Sequence, residues 1–166
     1  MVLGMGKTTA EQQQSIHTGE AFEIWQHLVM RYDVYELTDI FQNFANDMEF
    51  KALLTIGLNT LQKQIDQIET EMNRLGIPLP PRPPKSINTP ANTEILRDEL
   101  MFRTIYMGIQ NFLNEHQRTV LMMKNPKLRD VFMEMQKYEI GLYTKIVAYG
   151  NMKGWLHAPP EYKGAT

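Results

Sequence analysis

Three polar residues stand where helices of this sequence would otherwise be apolar. Glu36 lies between Tyr32 and Ile40, His116 between Leu113 and Val120, and Glu139 between Met135 and Leu142. Carboxylates and an imidazole brought together inside a protein can ligate a divalent cation, or can form a hydrogen-bonded set that holds helices in register. Either arrangement must offset the cost of taking a carboxylate out of water. Asp39 and Asp98 approach the same faces and could join such a set. A second group, Glu20, Glu23 and His27, forms its own stripe on the first helix, about 150° from the centre of the Trp25/Val29/Tyr32 face at 100° per residue. That offset predicts a solvated stripe, with carboxylates near a helix start favoured by the dipole.

A paired-metal centre in a helical bundle uses one glutamate from each of two helices and a Glu-x-x-His pair from each of the other two. No Glu-x-x-His pair occurs in this chain, and the second helical segment carries an inward seam of Leu, Ile and Met alone. The expectation is therefore no catalytic residue, no cofactor and no resident metal. Glu36, His116 and Glu139 remain the candidates for a bound iron, manganese or zinc ion. Gly6-Lys7-Thr8 imitates the end of a phosphate-binding loop, but the glycine required five positions earlier is Met1, and no strand precedes it.

The elements that must position these residues are helices. The first is predicted from Thr18, as N-cap, to Phe44, with Phe22, Trp25, Leu28, Val29, Tyr32, Tyr35, Ile40 and Phe44 inward. The second runs from Asp47 to Leu75, where Leu54, Leu58, Leu61, Ile65, Ile68, Met72 and Leu75 recur in alternating steps of four and three. Gly76 ends it. The third is predicted over 92–124, with Ile95, Phe102, Ile105, Tyr106, Ile109, Phe112, Leu113, Val120 and Met123 inward. Asn125-Pro126 then starts a fourth that reaches Gly150, with Leu128, Val131, Phe132, Met135, Tyr138, Leu142, Ile146 and Tyr149 inward.

Between the second and third helices lies Gly76-Ile77-Pro78-Leu79-Pro80-Pro81-Arg82-Pro83-Pro84, which cannot be helical and favours extended polyproline II. Residues 77–91 in that form reach roughly 46 Å at about 3.1 Å each. A 28-residue helix is roughly 42 Å long. The strap can therefore climb the whole bundle, the crossover that distinguishes ferritin-like bundles from up-down-up-down ones. A compact strap held at one end is the alternative. Glu36, His116 and Glu139 would share a height only in the up-down-up-down bundle; a crossover sends His116 to the other half.

The chain has 166 residues, 43% hydrophobic and 22% charged, which suits one soluble domain. A net charge of −2 gives no nucleic-acid footprint, and the absence of cysteine excludes disulfides and thiolate sites. No apolar run is long enough to span a bilayer, and Met1 to Ser15 lacks the apolar stretch of a secretory signal. Residues 1–17 are small, polar and aperiodic, which predicts a disordered segment before the bundle at 18–152. The segment 153–166, rich in aromatics and proline, is expected to pack back on the bundle. Of the twelve methionines several, Met72, Met123 and Met135, fall on seams, and the set reads as core filler in preference to a promiscuous surface. The Pro-x-x-Pro spacing reads as a structural strap in preference to a groove ligand.

Three segments, Gly19-Glu20-Ala21-Phe22-Glu23-Ile24-Trp25-Gln26-His27-Leu28 with Tyr32 and Glu36-Leu37-Thr38, the strap, and Gly154-Trp155-Leu156-His157-Ala158-Pro159-Pro160, together resemble the spore coat protein F-like proteins of endospore-forming bacilli, an uncharacterised ferritin-like family. The resemblance spans nearly the whole chain. It implies an all-α ferritin-like fold and association with the spore coat, but no agreed activity and no functional residues.

The reading is thus a non-enzymatic helical bundle with a cytoplasmic or spore-coat address. Its expected partners are its own copies or other coat proteins, not nucleic acid. Alternatives are a ferritin-like metal-binding oxidase or metal-storage protein, and a binder of a small apolar molecule between helices.

Overall fold

A computed structural model of the chain describes residues 15–83 and 96–156. Within them lie four helices and no strand: α1 (Thr18–Phe44), α2 (Met48–Leu75), α3 (Asp98–Met122) and α4 (Pro126–Lys153). The predicted bounds hold closely for α1 and α2. Helix α3 starts later, at Asp98, with residues 92–95 outside the described region, and α4 continues three residues past Gly150.

Each end has a local cause. His17, not Thr18, caps α1: its ring Nδ1 accepts from the Gly19 and Glu20 backbone amides, while Glu20 accepts from the His17 amide at 2.9 Å. Asp47 and Asn125 cap α2 and α4 by accepting from Phe50 and Leu128. Gly76 and Gly154 close the same two helices in the left-handed region, at φ 69° and 68°. There the amides of Ile77 and Trp155 return to the carbonyls of Met72 and Gly150.

The strap does cross over. At the foot of the bundle Ile16, Ile24, Leu75, Ile77, Met123 and Leu128 share one core cluster. At the head Phe41, Ala45, Phe50, Met101, Phe102, Trp155 and Leu156 share another. Helix α2 therefore ends at the foot while α3 begins at the head, where Asp98 accepts from the backbone amides of Asn46 and Asp47. Two helices run up, α1 and α4, and two run down, α2 and α3, which is the ferritin-like topology. The described part of the strap is pinned by buried Pro80 and by Arg82, which donates to Glu69. Glu69 also accepts the Tyr32 hydroxyl at 2.5 Å.

The two hairpins repeat one design. Glu20 and Asp98, Asp47 and Asn125, Gly76 and Gly154 each stand 78 positions apart and hold equivalent places. Glu20 in the first turn of α1 binds the amides of Lys124 and Asn125 in the α3–α4 turn, as Asp98 binds the α1–α2 turn.

The inward faces differ from expectation in places. Phe22 and Tyr138 are exposed, and Leu75 is half-buried. The buried face of α1 is Glu20, Glu23, Ile24, His27, Leu28, Arg31, Tyr32, Thr38 and Phe41, rotated by about 150° from the Trp25/Val29 face. Residues 15–17, grouped by composition with the N-terminal segment, are held against the bundle: Ile16 packs on the core and the Ser15 carbonyl accepts from Asn125. Trp155 and Leu156 pack on the head cluster, while 157–166 lie outside the described residues.

Gly150 is the tightest point of that cluster. A Cβ there would lie 2.5 Å from Phe102 Cζ and 2.7 Å from Leu156 Cγ, and Phe102 is fully buried among Phe50, Tyr149 and Trp155. Gly150→Ala is expected to lower stability by about 1–3 kcal/mol despite the better helix former. Gly57→Ala, with nothing within 4 Å, is expected to raise it by about 0.5–1 kcal/mol. Urea midpoints compare the two; a gain at position 150 would show that the head repacks freely.

Candidate functional site

The buried polar centre is assembled by α1, α3 and α4. Arg31, 1% exposed, donates from Nη2 to Glu139 Oε2 at 2.9 Å and lies 2.6 Å from His116 Nε2. His116 Nε2 is also 2.9 Å from the same carboxylate oxygen. A guanidinium only donates, so His116 accepts from Arg31 with its proton on Nδ1, or donates from Nε2 to Glu139; a neutral ring cannot do both at one nitrogen. In either tautomer Nδ1 is buried without a protein partner. The Arg31 guanidinium carbon sits 4.1 Å above the Phe112 ring. His27, one turn before Arg31, packs edge-on against Phe112 and Phe132, with its ring centroid 4.7 Å from that of His116.

These groups hold their charges by mutual arrangement. Burial pushes both His27 and His116 below the usual imidazole value, and the neighbouring Arg31 charge works in the same direction. The hydrogen bond that Glu139 accepts opposes the shift at His116 without reversing it. For Glu139 burial is the largest influence and acts upward, but the Arg31 charge and the bonds from His116 and Arg31 outweigh it and hold the carboxyl below its ordinary value. The centre is therefore one cation, one anion and two neutral imidazoles.

Of the three candidates from sequence, the structure joins His116 to Glu139 and leaves Glu36 out. Glu36 is half-buried and lies about 140° around α1 from Arg31. The crossover separates it from His116. Glu20, Glu23 and His27, expected in water, are 1%, 4% and 2% exposed. Their stripe is inward because each finds a partner on the other hairpin. Glu20 takes two turn amides, Glu23 pairs with Arg118 at 2.9 Å, and His27 enters the aromatic centre. Arg31 is not evident from sequence, because an arginine at a core spacing looks like a surface residue; its place at 20, 24, 27, 28, 31 on one helical face is the signal the chain offers. Asp98 is a structural tie at the head, and Asp39 takes no part in the centre.

The seam of α2 is apolar as expected, but Gln64, Glu69 and Glu71 flank it in buried positions. Glu69 faces Tyr32 and Arg82, and Glu71 faces Arg74 and Lys127, so neither reaches the centre. Among the described residues no three of His, Asp or Glu converge as a metal site. A ferritin-like metal pair does not fit this donor set: one carboxylate is present, and its oxygen already faces a guanidinium. No described helix is long and apolar enough to cross a membrane. Gly6-Lys7-Thr8 lies outside the described residues.

Two solved structures share this fold, and two sequence matches accompany them. The family DUF3231, described as a protein of unknown function, matches residues 5–165. A candidate spore coat protein from Bacillus halodurans C-125 superposes with TM-score 0.83 at 22% identity, covering 92% of this chain and 99% of that one. A two-domain protein of Anabaena variabilis, containing DJ-1/ThiJ/PfpI-like and ferritin-like domains, superposes with TM-score 0.63 at 20% identity, covering 97% of this chain and 42% of that one. The uncharacterized protein YvdQ of Bacillus subtilis is 27% identical over 74 residues, 45% of this chain and 44% of its own length.

Proposed function

This chain belongs to the DUF3231 family of proteins of unknown function, and we propose that it is a non-enzymatic helical-bundle protein with a structural or interaction role in the spore coat. One observation carries the reading: the centre of the bundle, where ferritin-like proteins place metal ligands, is filled by the protein's own cation, Arg31, paired with Glu139 and His116. Such a centre stabilises one packing arrangement and leaves no open coordination position. The likeness to a candidate spore coat protein supports the location. Copies of itself or other coat proteins are the partners proposed, with exposed apolar side chains such as Ile56, Met107, Leu121 and Ile140 available to them.

The competing reading is a ferritin-like oxidase or metal-storage protein. Elemental analysis of the protein purified from medium supplemented with iron, manganese and zinc separates the two. The proposal expects less than about 0.1 equivalent of any of these, with no change in thermal midpoint on adding metal. One equivalent or more, with a rise in the midpoint, would overturn it. Light scattering on the same preparation reads self-association, and a monomer at high concentration would remove self-assembly from the proposal.

A further inference from the structure

We propose that Tyr106 and Tyr143 form an oxidative cross-linking site, where peroxide-driven one-electron oxidation joins α3 to α4 through a dityrosine bond. The two rings are stacked, with 20° between their planes and 5.7 Å between their centroids. Their hydroxyl oxygens are closer still, at 3.2 Å. The carbon that bears each hydroxyl lies midway between ring centre and oxygen, so these two carbons are nearer to each other than the ring centres are. The ortho carbons, where phenol radicals couple, are bonded directly to them. Both residues are half-buried, so water and small oxidants reach them.

The surroundings hold the pair in place. Gln110, one turn along α3 from Tyr106, donates to the Tyr106 hydroxyl at 3.0 Å and to the Tyr143 hydroxyl at 3.4 Å. Hydrogen bonds from Tyr106 and Gln110 hold the Tyr143 phenol below its ordinary value, which eases loss of its proton. The other ordered hydroxyls are engaged differently: Tyr32 and Tyr149 donate to the carboxylates of Glu69 and Asp47, and Tyr138 pairs with Thr60. Among the described residues no other two tyrosines stack. The chain has no cysteine, so it carries no thiol to intercept a radical.

The reaction balances with one hydrogen peroxide, delivered through a haem peroxidase. Each phenol gives up one electron and one proton and becomes a neutral phenoxyl radical with spin on its ortho carbons. The two radicals join by a bond between one Cε of each ring. Each joined carbon then passes its hydrogen, by way of water, to its own ring oxygen, and both phenols are restored. The peroxide takes up the two electrons and two protons and leaves as two waters. Because the rings are already held together, coupling within one molecule outruns coupling between molecules.

Treating the full chain at micromolar concentration with a haem peroxidase and stoichiometric hydrogen peroxide tests the site. Dityrosine fluorescence is expected in the monomer fraction, with the monomer mass lower by two hydrogens. Digestion should release one joined peptide containing Tyr106 and Tyr143. Tyr106→Phe and Tyr143→Phe remove only a hydroxyl, and each should lower the monomer dityrosine yield by about tenfold or more. Tyr138→Phe, at an exposed tyrosine, should leave it unchanged. Circular dichroism of each variant keeps a loss of fold distinct from a loss of the site. A monomer that gains only methionine oxygen and yields no joined peptide would overturn the proposal. Linkage solely between molecules, or through tyrosines other than these two, would overturn it as well.

Discussion

Glu139→Leu is expected to remove about 3–5 kcal/mol of folding stability, the largest effect of any single substitution at the polar centre. Glu139 is 5% exposed and supplies the counter-charge to Arg31, which is 1% exposed. Without it, a guanidinium remains in the apolar interior with only a neutral imidazole and the Phe112 face nearby. The penalty is mainly that stranded charge, not the bond that is lost. The triple variant Arg31→Met, His116→Leu, Glu139→Leu is therefore expected to recover most of the loss and to finish within about 1–2 kcal/mol of the parent, because apolar side chains of similar volume often replace a buried ion pair without cost. Denaturant midpoints of the single and triple variants check this. A loss below about 1 kcal/mol for Glu139→Leu alone would mean that water reaches Arg31 and that the centre is not closed.

Acid should unfold this protein in two stages. His27 and His116 have native values depressed below the ordinary imidazole value. As pH falls through about 6.5, the unfolded chain takes up protons that the native state refuses, so stability drops. With two such groups the slope approaches about 2.7 kcal/mol per pH unit, twice the value for one proton. Glu139 acts in the same direction lower down. Its native value is depressed, so the stability it contributes is present above the ordinary carboxyl range and is lost as pH falls through the native value. Stability is thus expected to be level above neutrality, to fall from about pH 6.5 downward, and to fall again in the carboxyl range. His27→Leu should roughly halve the first slope, to about 1.4 kcal/mol per pH unit. Chemical denaturation across the pH range measures it, and an unchanged slope would show that His27 is protonated in the native state.

How much of this was legible in the residues depends on the range of the interaction. The helix ends were readable because Asp47, Asn125 and Gly76 act on amides and carbonyls within a few residues of themselves. The α2 seam was readable because its apolar spacing is regular. The face of α1 was not, since its inward stripe carries Glu20, Glu23, His27 and Arg31 among the apolar positions. Such a stripe looks solvated until its partners are known, and those partners stand far away in sequence: Arg31 meets His116 and Glu139 across 85 and 108 positions, and Glu20 meets Asn125 across 105. The 78-position recurrence of Glu20 in Asp98, Asp47 in Asn125 and Gly76 in Gly154 went unread in the residues, because three matches among unlike residue types carry no meaning until the fold shows two equivalent hairpins whose first-turn carboxylates exchange turns.

By itself, then, the order of residues determined four helices, two tight turns and a strap long enough to climb between ends, because capping, proline stiffness and helical spacing are local forces. Only the folded arrangement decided that the strap crosses, that Glu36 is excluded, and that Arg31 stands as the cation at the centre. Those outcomes depend on electrostatic pairing and desolvation between hairpins, and a buried charge acquires its partner only when both hairpins have packed.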